Sequence, residues 1–219
     1  MSKIYAAADK ALQRLYKYVE ARFQQIATTT SWDEMNVIQS VSEAYRDIDT
    51  MAQMEYLQVA REAYRRARKE VPEGTEDVPE EKDMTVFLLL LLAAYDEKTE
   101  YRYDREWERK RDRLAESILS LPPNEQVVNG NALRQALQRG MNLMNGQLRN
   151  FADTVTDEAR REAFRDLGID KVMWHTQQDS RVCAECAERD GEVYPLYGVP
   201  PKHRRCRCWL TAYEPDSNP

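Results

Sequence analysis

All four cysteines of the chain and one of its two histidines lie between Cys183 and Cys208. That crowding constrains the fold more than any other feature of the sequence. Cys183 and Cys186 form a Cys-x-x-Cys pair, and His203, Cys206 and Cys208 follow as His-x-x-Cys-x-Cys. Each short spacing lets one turn present two donor atoms, and the intervening loop can bring the two turns to a common point. A tetrahedral Zn²⁺ requires that arrangement. The competing structures are a pair of disulfides, or unrelated buried thiols. Met1 to Glu20 is amphipathic and charged, without the apolar run of a secretory signal. A reducing compartment is therefore expected, where closely paired cysteines more often hold a metal than each other.

The candidate ligands are Cys183, Cys186, His203, Cys206 and Cys208, competing for about four positions. His203 and Cys208 contest the last place. If the segment through Cys206 and Cys208 is extended, both thiols point to one face and both bind, leaving His203 outside. A closed shell of four protein ligands has no open position for water, so the site is expected to be structural and not catalytic.

The rest of the chain reads as helix. With 32% charged residues and 7 glycines in 219, long helices are favoured over sheet. The length suits one domain with an appendage, or two modest domains. Apolar residues at Ile4, Ala8, Ala11, Leu15, Val19, Phe23 and Ile26 step by three and four along one face. Ser31-Trp32-Asp33-Glu34 fits a capping box, after which a stripe from Met35 and Ile38 through Tyr45 and Tyr56 to Ala67 marks a second helix. A polar loop with Pro72 and Gly74 ends it and runs to about Glu80.

A third helix is expected over Glu81 to Ser120. Its run Val86 to Ala94 is apolar all round, which predicts the most enclosed element of the bundle. That run is also too short for the roughly 20 residues of a membrane span. The following DEKTEYRYDREWERKRDR segment reads as a solvated helix with ion pairs. Tyr101, Tyr103 and Trp107, interleaved among its charges, offer a partner-facing surface as the alternative. Leu121-Pro122-Pro123 stops the helix. Asn131 is a candidate cap for a fourth helix with Leu133, Leu137, Met141, Met144, Leu148 and Phe151 inside. A short helix over Asp157 to Leu167 is then expected to end at Gly168 in a left-handed conformation.

Beyond Gly168 the pattern alternates. Lys171 to His175, Gly191 to Tyr194 and Cys206 to Tyr213 suggest a small sheet filled by Trp174 and Trp209, too small to be stable without a metal staple. The predicted fold is mainly α: a long-helix bundle with a small C-terminal zinc-stapled β module (α+β). Its regions are 1–121 (long helices), 122–168 (connecting helices), 169–213 (the Cys/His module) and 214–219 (a flexible tail). Within the module, Asp179 and Arg181 are expected to pair and fix the loop, and Asp190-Gly191 to turn before a strand. His175 reads as a strand residue and not a ligand. Lys202, Arg204, Arg205 and Arg207 are candidate contacts for nucleic-acid phosphate or an acidic partner. The net charge of −6 argues against a whole-surface nucleic-acid binder.

The order Trp174, Asp179, Arg181, Cys183-x-x-Cys186, Asp190-Gly191, Pro200-Pro201-x-His203, Cys206-Arg207-Cys208 resembles the C-terminal module of the phage Mu F-like minor head proteins. These form the head-morphogenesis family of tailed phages. The resemblance covers roughly residues 125 to 210. It implies a non-enzymatic minor capsid protein acting near the portal vertex during head assembly, with DNA packaging or ejection as further expected steps. Its expected partners are the portal or major capsid protein and packaged DNA, with no membrane and several copies per particle. The implied location is the inner head of the virion, reached from the host bacterial cytoplasm. Two readings of other classes stand beside it: a zinc-ribbon nucleic-acid-binding protein, and an HNH-like nuclease. The nuclease lacks a second histidine and an asparagine spaced near His203 to hold a catalytic cation.

Overall fold

A computed structural model describes residues 3–28, 32–71, 82–96, 101–126, 130–203 and 206–213. Expectations resting on Ser31, on the loop 72–80, on Arg204 and Arg205 and on the tail 214–219 lie outside these residues. A 3₁₀ turn over Lys3–Tyr5 leads into α1 (Ala6–Ala27), α2 (Glu34–Lys69), α3 (Met84–Ala93), β1 (Tyr95–Asp96), β2 (Tyr101–Arg102), α4 (Tyr103–Leu119) and α5 (Asn131–Asp166). The C-terminal part holds β3 (Lys171–His175), α6 (Ala184–Glu188), β4 (Val193–Pro195), a 3₁₀ turn over Leu196–Gly198, and β5 (Trp209–Ala212). The protein is thus mainly helical with a small antiparallel sheet near its C-terminus, as the sequence predicts.

The compact units do not follow chain order. One unit comprises Met1–Asp9, Gln58–Met84 and Asn150–Pro219, and the other Lys10–Leu57 and Thr85–Arg149.

The second of these is a helical bundle built around aromatic rings. Phe23 of α1 lies 6.3 Å from the ring of Tyr45 on α2, which meets Trp107 of α4 edge-on at 6.0 Å; Tyr103 stacks on Trp107 at 5.5 Å. Each buried polar tip has a partner: the Trp107 Nε1–H donates to the Tyr45 carbonyl, the Tyr45 hydroxyl to the Lys110 carbonyl, and the Tyr103 hydroxyl to Asp49 Oδ1 at 2.7 Å. Such rings contribute large apolar area while their polar ends stay satisfied. Gly140 of α5 permits the closest approach, because a Cβ there would stand 2.9 Å from Leu114 Cδ1 and 3.1 Å from Phe23 Cε1.

Four expectations are corrected. The single helix over Glu81 to Ser120 is two helices, α3 and α4, separated by the short β1–β2 pair with Tyr95 opposite Arg102. Within α3, Met84 and Leu88 are buried, but Val86, Leu89 and Leu90 are 62%, 59% and 68% exposed. A helix apolar on every side buries only the side that has a neighbour. Tyr103 and Trp107 are core residues, 4% and 7% exposed, so α4 does not present them to a partner. The ion pairs expected on α4 are present, with Lys110 Nζ 2.8 Å from Glu106 Oε2 at i,i+4.

The third and fourth corrections concern α5 and the helix starts. Residues 131 to 166 form one helix, where two had been expected. The polar Thr154 and Thr156 remain helical by donating their hydroxyls to the carbonyls of Asn150 and Ala152 four residues back, at 3.0 and 2.9 Å. Asn131 is already the first helical residue, and the Ala132 amide is taken by Glu125 Oε2. For α2, the described cap is Asp33, whose Oδ1 accepts from the Asn36 amide at 3.0 Å.

The other unit contains the sheet, ordered β4-β3-β5 and wholly antiparallel. Val172 faces Tyr194, and Trp174 faces Leu210. The alternation of β3 buries Val172 and Trp174 completely and leaves Met173 and His175 half-buried on the other face. Arg160 of α5 is 2% exposed. Its guanidinium grips Glu70 through both terminal nitrogens and donates to the Leu210 carbonyl at 2.9 Å. Tyr64 of α2 and Lys82 meet Asp166 at 2.7 and 2.8 Å.

α5 ends as the sequence requires. Gly168 adopts φ +69°, its amide bonds to the Arg165 carbonyl, and the Ile169 amide bonds to that of Phe164. This paired pattern closes the orphan carbonyls of the last turn. Gly168→Ala would force a Cβ into the left-handed region. We expect it to lower stability by about 1 kcal/mol, measured by denaturant titration; an unchanged midpoint would contradict this account.

Candidate metal centre

Two tight turns present the donors. Cys183 caps the five-residue α6, and its Sγ accepts from the Cys186 amide at 3.4 Å while its carbonyl accepts from Ala187 at 2.9 Å. This turn sets the two thiols of the Cys-x-x-Cys pair side by side. In the second turn the Cys206 amide donates to the His203 carbonyl at 3.1 Å. The residues from Cys206 to Cys208 precede β5, and Cys206 and Cys208 are both buried with their sulfurs on one side, as expected of an extended segment, while His203 also joins the cluster.

The turns meet. His203 Nε2 lies 3.4 Å from Cys183 Sγ and 3.2 Å from Cys186 Sγ, and Cys186 Sγ lies 3.7 Å from Cys206 Sγ. The donors fall into two overlapping triads, Cys183–Cys186–His203 and Cys186–Cys206–Cys208, each with its ligand atoms mutually within 4.8 Å. Cys186 is common to both. With metal–sulfur bonds of about 2.3 Å and a metal–nitrogen bond of about 2.0 Å, a regular tetrahedron has S···S edges of ~3.8 Å and S···N edges of ~3.5 Å. The three contacts, 3.4 and 3.2 Å to nitrogen and 3.7 Å between sulfurs, lie within about 0.3 Å of such edges. All four cysteines are free thiols, so the disulfide alternative is not what the fold adopts. The cluster can hold a metal ion.

Burial pushes the Cys186 thiol far above its usual range, and pushes Cys208 up to about 11. Cys183, which is exposed, is lowered by the hydrogen bond from the Cys186 amide. A bound divalent cation would override the upward shift of each thiol it coordinates, since a coordinated thiol is deprotonated outright. Cys208 lies next to the buried Trp174, whose Nε1–H has no well-aligned acceptor and favours the Cys208 thiolate.

The supporting residues take definite places. Trp174 is fully buried, with the Arg189 guanidinium 5.4 Å over its ring and Tyr194 edge-on at 6.3 Å. Asp190 does more than start a turn: its carboxylate accepts from the Thr176 amide at 2.7 Å and from Gln178 Nε2 at 2.9 Å. Gly191, at φ +82°, donates its amide to the Trp174 carbonyl. Asp179 pairs with Arg207 at 2.6 Å, and its carboxyl is held well below the usual range mainly by that guanidinium. Arg181, the expected partner, stands 3.7 Å away and largely exposed. The reason is reach: Arg207, on the second metal-bearing turn, meets both Asp179 oxygens, whereas Arg181 contributes its backbone amide. His175 stacks on Trp209 at 5.5 Å and meets Thr211 Oγ1 at 2.8 Å, away from the thiols.

Three residues at this site carried no readable signal in that role. Lys202, expected to face phosphate or a partner, turns inward to Asp157 Oδ2 at 2.7 Å, and Tyr5 joins the same pair. Tyr5 and Asp157 are separated by 152 positions, and no local pattern links residues so far apart.

No family model, curated protein or solved structure matches the chain. Among the described residues, no helix is long and apolar enough to cross a membrane.

Proposed function

We propose that this chain is a non-enzymatic minor head protein of a tailed phage, in which a structural Zn²⁺ staples the C-terminal module to make a rigid assembly surface. The observation that carries the reading is the convergence of the motif on one small module. Trp174, the Cys183–Cys186 turn, the Asp190-Gly191 turn and the His203–Cys208 turn all serve a single donor cluster and the sheet behind it. In this reading Cys183, Cys186, His203 and Cys206 are the ligand set, with His203 on both thiols of the first turn and Cys206 on Cys186. Cys208 is then a buried fifth sulfur beside Trp174. Four protein ligands close the shell, which suits a structural metal and leaves no position for a catalytic water.

Docking on a portal or major capsid protein is supported by the helical bundle, where Val86, Leu89 and Leu90 are exposed together. Contiguous apolar exposure of this kind marks interaction surfaces more often than free ones. The protein would then reside in the inner head near the portal, having assembled in the bacterial cytoplasm. The nucleic-acid reading is weakened, because Lys202 and Arg207 are both engaged by carboxylates of this chain.

Two measurements test this. Elemental analysis of protein purified without chelator should give about one zinc per chain, the content of a single four-ligand site. Co-expression with the portal and scaffold of the same phage should recover the chain in procapsids. A metal-bearing chain that never enters particles would sink the head-protein reading while leaving the zinc module standing.

A further inference from the structure

The metal-bearing turn from Lys202 to Cys208 is pinned from below by groups that are not ligands. Lys202 Nζ, on a side chain only 13% exposed, donates to the Cys208 carbonyl at 2.7 Å, to Asp157 Oδ2 at 2.7 Å and to the Tyr5 hydroxyl at 3.1 Å. The Tyr5 hydroxyl lies 2.7 Å from Asp157 Oδ1 and 2.9 Å from the Cys208 carbonyl. Tyr5 is 8% exposed, and the Lys202 ammonium also sits 5.8 Å from its ring centroid. Lys202 immediately precedes His203, and Cys208 follows Cys206 by two residues. One buried cluster therefore holds both ends of the segment that carries two donors.

The geometry points to Tyr5, Asp157 and Lys202 as the positioning cluster of the metal site: the N-terminal 3₁₀ turn and α5 fix where His203 and Cys206 stand before the metal arrives. The inference rests on the metal reading above. Its physical basis is preorganisation. The Lys202 ammonium has three protein acceptors in place of water, and a buried charge so satisfied has one favourable position. Without it the turn must be ordered when the metal binds, and that ordering subtracts from affinity. The carboxylate of Asp157 is the element that cannot be replaced by an amide, because it offsets the ammonium charge. The segment that readies the site begins at the opposite end of the chain, so the integrity of residues 3 to 5 controls a site some two hundred positions away, the Tyr5–Lys202 separation being 197.

The test uses the full chain titrated with Co²⁺, and with Zn²⁺ in competition with a chromophoric chelator. Tyr5→Phe and Lys202→Met should each weaken metal affinity about 10- to 100-fold, the range found for outer partners of metal ligands. The visible Co²⁺ bands should also shift, reporting a changed donor geometry. Lys202→Arg should restore much of the affinity. Tyr64→Phe removes a comparable hydroxyl-to-carboxylate bond to Asp166 in the same unit, away from the thiols, and should leave the affinity and spectrum unchanged. Wild-type affinity and an unshifted spectrum in both Tyr5→Phe and Lys202→Met would overturn the positioning role while leaving the metal reading intact. Equal weakening in Tyr64→Phe would reduce the cluster to general stability and overturn the role as well. A wild-type chain that takes up neither ion overturns both.

Discussion

Cys186→Ser should abolish metal uptake and melt the C-terminal module while the helices persist. Cys186 is the one donor common to both triads, 3.2 Å from His203 Nε2 and 3.7 Å from Cys206 Sγ. It is also the most enclosed thiol, 2% exposed, so a serine hydroxyl there lacks both the soft sulfur and the access to water that would compensate. The loss should exceed the about 10- to 100-fold cost of deleting an outer partner. Structural zinc in small modules supplies folding free energy directly, with apparent values of about 10–16 kcal/mol at neutral pH. Removal of the ion by a chelator should therefore reproduce the mutant. Near-ultraviolet dichroism follows the Trp174 and Trp209 environments, and far-ultraviolet dichroism follows the helices. The first signal should lose the contribution of Trp174 and Trp209 while that of Trp107 and the buried tyrosines of the helical bundle stays, and the second should largely remain. Cys208→Ser is the contrasting variant and should retain the ion. Wild-type zinc affinity in Cys186→Ser, or complete loss in Cys208→Ser, would refute the proposed ligand set.

Trp174→Ala should cost about 3–5 kcal/mol, the range for truncating a large buried aromatic residue. The side chain is fully buried behind the thiols, with Tyr194 against one edge and Arg189 over its face. Its strand is the central one of the sheet, so the cavity opens beneath the middle of the sheet. Trp174→Phe keeps most of the ring packing and deletes an Nε1–H that has no well-aligned acceptor, and should cost clearly less. Chemical denaturation monitored through the module's aromatic signal gives both values. A loss below about 1 kcal/mol for the alanine variant would show that the site collapses around the gap and that Trp174 is not the module's filling.

Much of this protein is legible in its sequence because the signals are local. The stripe of α1 buries as its period requires, and that of α2 does so from Val41 onward, with Ala8, Leu15, Val19, Phe23, Ile48 and Tyr56 inside, whereas Met35 and Ile38 at its start are 77% and 45% exposed. Gly168 ends α5 in the left-handed conformation. The Cys-x-x-Cys spacing closes a turn with the Cys186 amide donating to the Cys183 Sγ, and the His-x-x-Cys spacing closes one with the Cys206 amide donating to the His203 carbonyl. In every case the property depends on residues within one or two turns of each other, and chain geometry alone fixes it.

The tertiary structure decided what spacing cannot encode. Whether an apolar stretch is covered depends on which element passes beside it, and so Leu89 and Leu90 are open although they look like core. Trp107, set among charges, is buried because Tyr45 offers both a ring and a carbonyl. Arg207 joined Arg181 on the Asp179 carboxylate and took its closer contacts, and Lys202 turned from an expected outer contact into a buried tie between Tyr5 and Asp157. Periodicity names a face but not its neighbour. A charge names its own sign but not the partner that desolvation and reach select for it. The sequence by itself determined the apolar face of α1, the stop at Gly168 and the five candidate donors of this protein. Only the fold decided which surfaces are covered and which distant residues hold the metal-bearing turn in place, because those outcomes depend on contacts between segments far apart in the chain.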